Sequence, residues 1–92
     1  MENTIPGNDL RETVTKECDA ILHGLKRPLH EYCGAWVYKH DNTVRWSVNL
    51  DIANTMIDWD RVRTFQNVRI AQAVADEMRE LIRAARRLRG SP

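Results

Sequence analysis

Four residues of this 92-residue chain carry metal-ligand chemistry: Cys18, His23, His30 and Cys33, in a C-x4-H-x6-H-x2-C string. Two thiolates and two imidazoles are the set zinc takes in closed tetrahedral sites. The spacing argues against such a site. Cys18 falls on an apolar helical stripe, where a free cysteine acts as a small hydrophobe. Residues five apart on a helix diverge by about 140°, so Cys18 and His23 point apart. The four are read as structural residues, and no metal or other cofactor is expected. For acid–base work the chain offers His30, Glu31 and His40, and the carboxylates Asp58 and Asp60 on either side of Trp59. No nucleophile elbow, glycine-rich phosphate loop or H-E-x-x-H helix accompanies them. Two carboxylates on one short segment more simply cap a turn or pair with Arg61 and Arg63. An enzyme is not expected.

The arginines are the stronger lead. Residues 61–92 hold eight arginines and no lysine against three acids, whereas residues 1–60 hold six Lys and Arg against ten Asp and Glu. A net charge of +1 therefore conceals a strong dipole with one electropositive end. Arg79, Arg83 and Arg86 share a helical stripe, to which Arg87 and Arg89 add. Asp76 with Arg79 and Glu80 with Arg83 are spaced as surface pairs, which leaves Arg86, Arg87 and Arg89 without an obvious acid. Cations complement a helix C-terminus, so a solvated face is one reading. Planar guanidinium groups also suit carboxylates and phosphates, which makes a docking patch the other. Met56, Ile57 and Trp59 lie in "DIANTMIDWD", whose apolar residues fit neither a strand nor a helix period. The expected partner-binding set is Met56, Ile57, Trp59, Arg79, Arg83, Arg86, Arg87 and Arg89.

The elements that would carry these residues follow from periodicity. Residues 1–8 read as a loose leader and residues 9–92 as one domain, punctuated by Pro6, Gly7 and Asn8. "DLRE" has a capping-box layout with Asp9 as the cap. Leu10, Val14, Cys18, Ile21 and Leu25 then recur at threes and fours, and Gly24 and Pro28 stop the helix near Leu25. A hairpin runs from about Tyr32 to Ile52. A two-residue loop at Asp41 and Asn42 would face Val37 against Trp46. A three-residue loop with Asn42 left-handed would face Trp36 against Trp46 and Tyr38 against Val44. The latter is the reading adopted, because it gathers Tyr32, Trp36, Trp46, Val48 and Leu50 on one core-facing side. "RVRTF" reads as a third strand ending at Phe65, with a helix over 58–66 as the alternative. From Asn67 to Arg89 the chain is helical, with Ala71, Val74, Met78, Leu81, Ala85 and Leu88 as its seam. The expected fold is α+β: a three-stranded antiparallel sheet with both helices on one face.

The α-β-β-β-α order resembles double-stranded-RNA-binding domains. That resemblance would imply a lysine-rich cluster at the start of the last helix, facing phosphates. Here that segment is "NVRIAQAVA", in which Arg69 is the sole charge, and the cations sit at the opposite end. The function expected is a non-enzymatic protein-binding module, a small adaptor or inhibitor that occupies a surface of a larger protein or complex, nucleic-acid-processing complexes included. Its build is similar to that of phage and mobile-element inhibitors such as anti-CRISPR proteins. The alternative is nucleic-acid binding through the Arg-rich C-terminal helix, against which the near-neutral charge counts. Monomer and homodimer both remain open, the latter through the last helix's apolar seam. With no apolar run of about 18 residues, no membrane partner is expected. With no signal-peptide layout at the N-terminus and no case for a disulfide, the cytoplasm is the expected location.

Overall fold

A computed structural model of the chain describes residues 7–39, 44–52 and 58–90. Helix α1 (Gly7–His23) is followed by a single 3-10 turn (Leu29–Glu31), strands β1 (Gly34–Lys39), β2 (Trp46–Asp51) and β3 (Trp59–Phe65), and helix α2 (Val68–Gly90). The strands form one antiparallel sheet in the order β1-β2-β3. This is the α+β arrangement expected from the sequence. No helix among the described residues is long and apolar enough to cross a membrane.

Helix α1 starts earlier than the capping-box reading placed it. Asp9 lies inside the first turn, where its carboxylate still complements the helix N-terminus. The helix takes in Gly7 and Asn8; the rest of the expected leader lies outside the described residues. Its end comes where Gly24 donates its N–H to the Ile21 carbonyl at 3.0 Å. Helix α2 is capped by Asn67, whose Oδ1 accepts from the amides of Arg69 (2.8 Å) and Ile70 (3.3 Å). Ala71, Val74, Ala75, Met78 and Ile82 form its buried face, which packs with Ile21, Tyr32, Val48 and Leu50. Helix α1 packs on α2 and is tied to β3 by Glu17 and Arg63, 2.6 Å apart. The central part of the α2 seam is therefore used within the chain.

The hairpin register differs from both sequence readings. Lys39 pairs with Trp46, Val37 with Val48, Trp36 with Asn49 and Ala35 with Leu50. Lys39 and Trp46 are the last pair on this side, and the proposed turn residues Asp41 and Asn42 lie outside the described residues. Relative to the three-residue loop the slip is odd, so it exchanges the faces of β1. Ala35, Val37, Trp46, Val48 and Leu50 look toward the helices. Trp36 and Tyr38 look the other way. The expectation that Trp36 joins Trp46 on the core side is therefore corrected. The physical reason is space: small Ala35 and Val37 let α2 approach β1, and a tryptophan there would hold it off.

Strand β3 replaces the helical alternative for 58–66, and it contains a bulge. Val48 pairs with Arg63 and Asn49 with Arg61, leaving Val62 as the extra residue. Strict alternation could not send both Val62 and Phe65 to the core. With the bulge, both pack there. Upstream of it, Trp59 and Arg61 fall on the face away from the helices.

Candidate partner-binding face

The sheet face opposite the helices is built from Trp36 and Tyr38 of β1, Ser47, Asn49 and Asp51 of β2, and Trp59 and Arg61 of β3. Trp36 and Trp59 stand on the two outer strands, yet their rings meet over the central one. Their centroids are 5.7 Å apart at an interplanar angle of 72°. Tyr38 makes a second edge-to-face contact with Trp36, at 6.1 Å and 83°. Such pairs contribute about 0.5–1.5 kcal/mol beyond the area they bury. The Arg61 guanidinium lies 6.0 Å from the centroid of Trp59, within cation–π range.

Beneath the rings lies a row of polar side chains from β2. Ser47, Asn49 and Asp51 are all buried, Asn49 to within 1% of complete enclosure. Asn49 donates Nδ2–H to the Ser47 carbonyl (3.3 Å) and to Ser47 Oγ (3.1 Å). Ser47 in turn donates to the Tyr38 carbonyl at 3.2 Å. Asn49 Oδ1 and Trp36 Nε1 are buried without a hydrogen-bond partner. A buried group left unsatisfied costs about 1–3 kcal/mol. Both of these lie on one face of one small sheet, where polar satisfaction has given way to the arrangement of the rings.

Around the edge of this face, the end of α1 and strand β3 enclose a cleft of about 530 Å³, lined in part by Ile21, Leu25, Lys26, Tyr32 and Asp60. The Pro28 carbonyl accepts from the Glu31 amide to open the 3-10 turn, which delivers Tyr32 into the core, where its hydroxyl donates to Asp60 Oδ2 at 2.8 Å. Burial, the hydrogen bond to Asp60 and the charge of Asp60 push the Tyr32 hydroxyl up to about 12, against a smaller opposing effect of Arg27. Tyr32 therefore stays protonated near neutral pH and serves to anchor β3. The Cys18 thiol is raised to about 11 by burial and by the charges of Glu77, Asp19 and Glu17. It is 3% exposed and rests 4.0 Å from the Val74 carbonyl. His23 is exposed and bonded to the Asp19 carbonyl at 2.8 Å. Among the described residues, no three His, Cys, Asp or Glu side chains are grouped to hold a metal.

The residues singled out from sequence are dispersed rather than gathered. Trp59 is 37% exposed and belongs to the aromatic face. Met56 and Ile57 lie outside the described residues. Arg79 bonds Asp76 (2.7 Å) and donates to the Ala35 carbonyl (2.8 Å). Arg83 bonds Glu80 at 2.7 Å. Arg86 donates to the carbonyls of Tyr32 (3.2 Å) and His30 (3.3 Å), which explains why it needs no acid. Arg79 and Arg86, two helical turns apart, thus tie α2 to main-chain oxygens of β1 and the segment before it. Arg87 and Arg89 are exposed in the last turn of α2. Sequence reasoning missed Trp36, Tyr38, Asn49 and Arg61 as one constellation. The available signal was parity: Trp36 with Tyr38, and Trp59 with Arg61, are each two residues apart. No family model, curated protein or solved structure matches the chain.

Proposed function

We propose that the protein is a non-enzymatic protein-binding module, a small adaptor or inhibitor that docks its aromatic sheet face onto an acidic surface of a larger protein. The observation that carries this reading is the Trp36–Trp59 ring pair, which leaves Trp59 37% and Tyr38 47% exposed on a rigid sheet beside Arg61. Trp, Tyr and Arg dominate interface hot spots, because large rings supply contact area at small cost in rotamer entropy. An acidic partner follows from charge. Arg61 is exposed and makes no hydrogen bond or ion pair among the described residues, and the nearest acid of this face, Asp51, is buried. A carboxylate meeting Arg61 over the Trp59 ring would gain both the pair and the stacked plane.

Nucleic acid is a poorer occupant of the same face. A base-stacking platform presents open ring faces, whereas these rings meet edge to face and Arg61 covers Trp59. Four other arginines are held in ion pairs, which lowers the charge left to neutralise phosphates. The test is partner capture by the wild type and by Trp59→Ala, Arg61→Glu and Arg83→Ala, with thermal melts alongside. The reading requires a salt-sensitive, acidic partner that the first two variants lose and Arg83→Ala keeps, all three remaining folded. Equal capture by all four proteins would refute it. Fluorescence anisotropy with single-stranded and duplex probes at two salt concentrations checks the rival: tight binding abolished by Trp59→Ala would assign the face to nucleic acid.

A further inference from the structure

The outward side of α2 carries features that neither the core nor the aromatic face uses. Near its C-terminal end Leu88 is 89% exposed, beside Arg87. Near its middle, α2 and the first half of α1 enclose a groove of about 630 Å³ with Leu10, Val14 and Ala73 as apolar lining and three acids, Asp76, Glu77 and Glu80, against one base, Arg11, as charged lining; Asp76 and Glu80 are paired with Arg79 and Arg83, so Glu77 is the acid left open. At 100° per residue, Ala73, Glu77, Glu80 and Ala84 fall on one stripe roughly opposite the buried Ile82, and Leu88 lies at the edge of that stripe, where the core-facing seam runs out. One helix face therefore presents an acidic apolar groove followed, about 17 Å further along at 1.5 Å per residue, by a basic apolar knob. Glu77 and Arg87 have no ion-pair partner among the described residues.

We infer that this face binds a second copy of the same chain, in a closed two-fold dimer with the α2 helices antiparallel. A two-fold axis passing between the levels of Glu80 and Ala84 sets Leu88 of each copy into the groove of the other. The same operation sets Arg87 against Glu77 of the second copy and brings small Ala84 to the crossing, where the helices can approach closely. Knob and groove lie on one face of one helix, so the contact satisfies itself twice and closes rather than running on as a filament. Charge complementarity selects this occupant: parallel helices would set arginines against arginines. The aromatic sheet face stays free in such a dimer, which would display two copies of it.

Sedimentation equilibrium over a wide concentration range, at low and high salt, tests the inference on the wild type, Leu88→Glu, Glu77→Arg, Arg87→Glu, the Glu77→Arg/Arg87→Glu double variant and Trp59→Ala. The wild type should pass from monomer to dimer and stop there, with weaker association in high salt. Leu88→Glu should weaken the dimer by about a hundredfold or more, since both copies lose a buried leucine, with an unchanged melt at concentrations where the chain is monomeric. Each single charge reversal should weaken it, and the double variant should recover. A wild type that stays monomeric throughout overturns the inference. So does a dimer indifferent to Leu88→Glu, one dissolved by Trp59→Ala instead, or assembly that grows beyond two copies.

Discussion

Tyr32→Phe should produce two stability curves that converge as the pH rises. In the wild type the hydroxyl is buried and donates to Asp60. Its removal at neutral pH forfeits a hydrogen bond to a charged acceptor. Such bonds are worth about 1.5–3 kcal/mol; Asp60 is half-exposed and regains water, so a cost of about 1–2 kcal/mol is expected. The alkaline side behaves differently. Tyr32 ionises near 10 in the unfolded chain and near 12 in the fold. A folded pKa raised above the unfolded value means that the contribution is complete below pH 10. It is lost as pH rises through 12, because the unfolded state releases the proton first. Two units correspond to about 3 kcal/mol, of the same order as the hydrogen bond and the burial that cause the shift. The phenylalanine variant cannot titrate, so its decline above pH 10 should be shallower, retaining what Cys18, raised from 9.0 to about 11, contributes from pH 9 upward. Urea unfolding followed by tryptophan fluorescence between pH 7 and pH 11.5 measures both curves. Parallel declines for wild type and variant would refute the reasoning.

Two further outcomes follow. Arg79→Ala should cost about 1 kcal/mol, since it strips the Ala35 carbonyl of its donor, whereas Arg83→Ala, an exposed helix pair, should stay within about 0.5 kcal/mol; paired denaturant melts decide between a structural and a decorative stripe. A thiol reagent at neutral pH should modify Cys33 while Cys18 reacts only on unfolding, because its thiol is enclosed and held protonated; mass spectrometry of the time course reads this, and equal labelling of both would contradict the placement of Cys18.

The helices were legible because their signals are local. The threes and fours of α1 and α2 describe one side of a rod whatever lies across from it, and the Asp76–Arg79 and Glu80–Arg83 pairs are set by spacing alone. The sheet was legible in element order and misread in register. Alternation shows that Trp36 and Tyr38 share a face with each other; it does not say which face, and the assumption that large rings belong inside selected the wrong one. The burial of Ser47, Asn49 and Asp51 on the opposite face was hidden for a related reason. What encloses them includes rings from both neighbouring strands, a tertiary fact with no local trace. The role of Arg86 was equally hidden, since main-chain carbonyls have no letter in the sequence.

The bulge at Val62 makes β3 two short strands written in different frames. Before it, the frame is fixed by Trp59 reaching across to Trp36; after it, by Phe65 in the core. The one extra residue lets both anchors be honoured by a single stretch of chain. What this segment must conserve is thus its count. Exchanging Thr64 changes a letter, but removing one residue between Trp59 and Phe65 would force a choice between roof and floor: either Trp59 turns under the helices or Phe65 turns out to water.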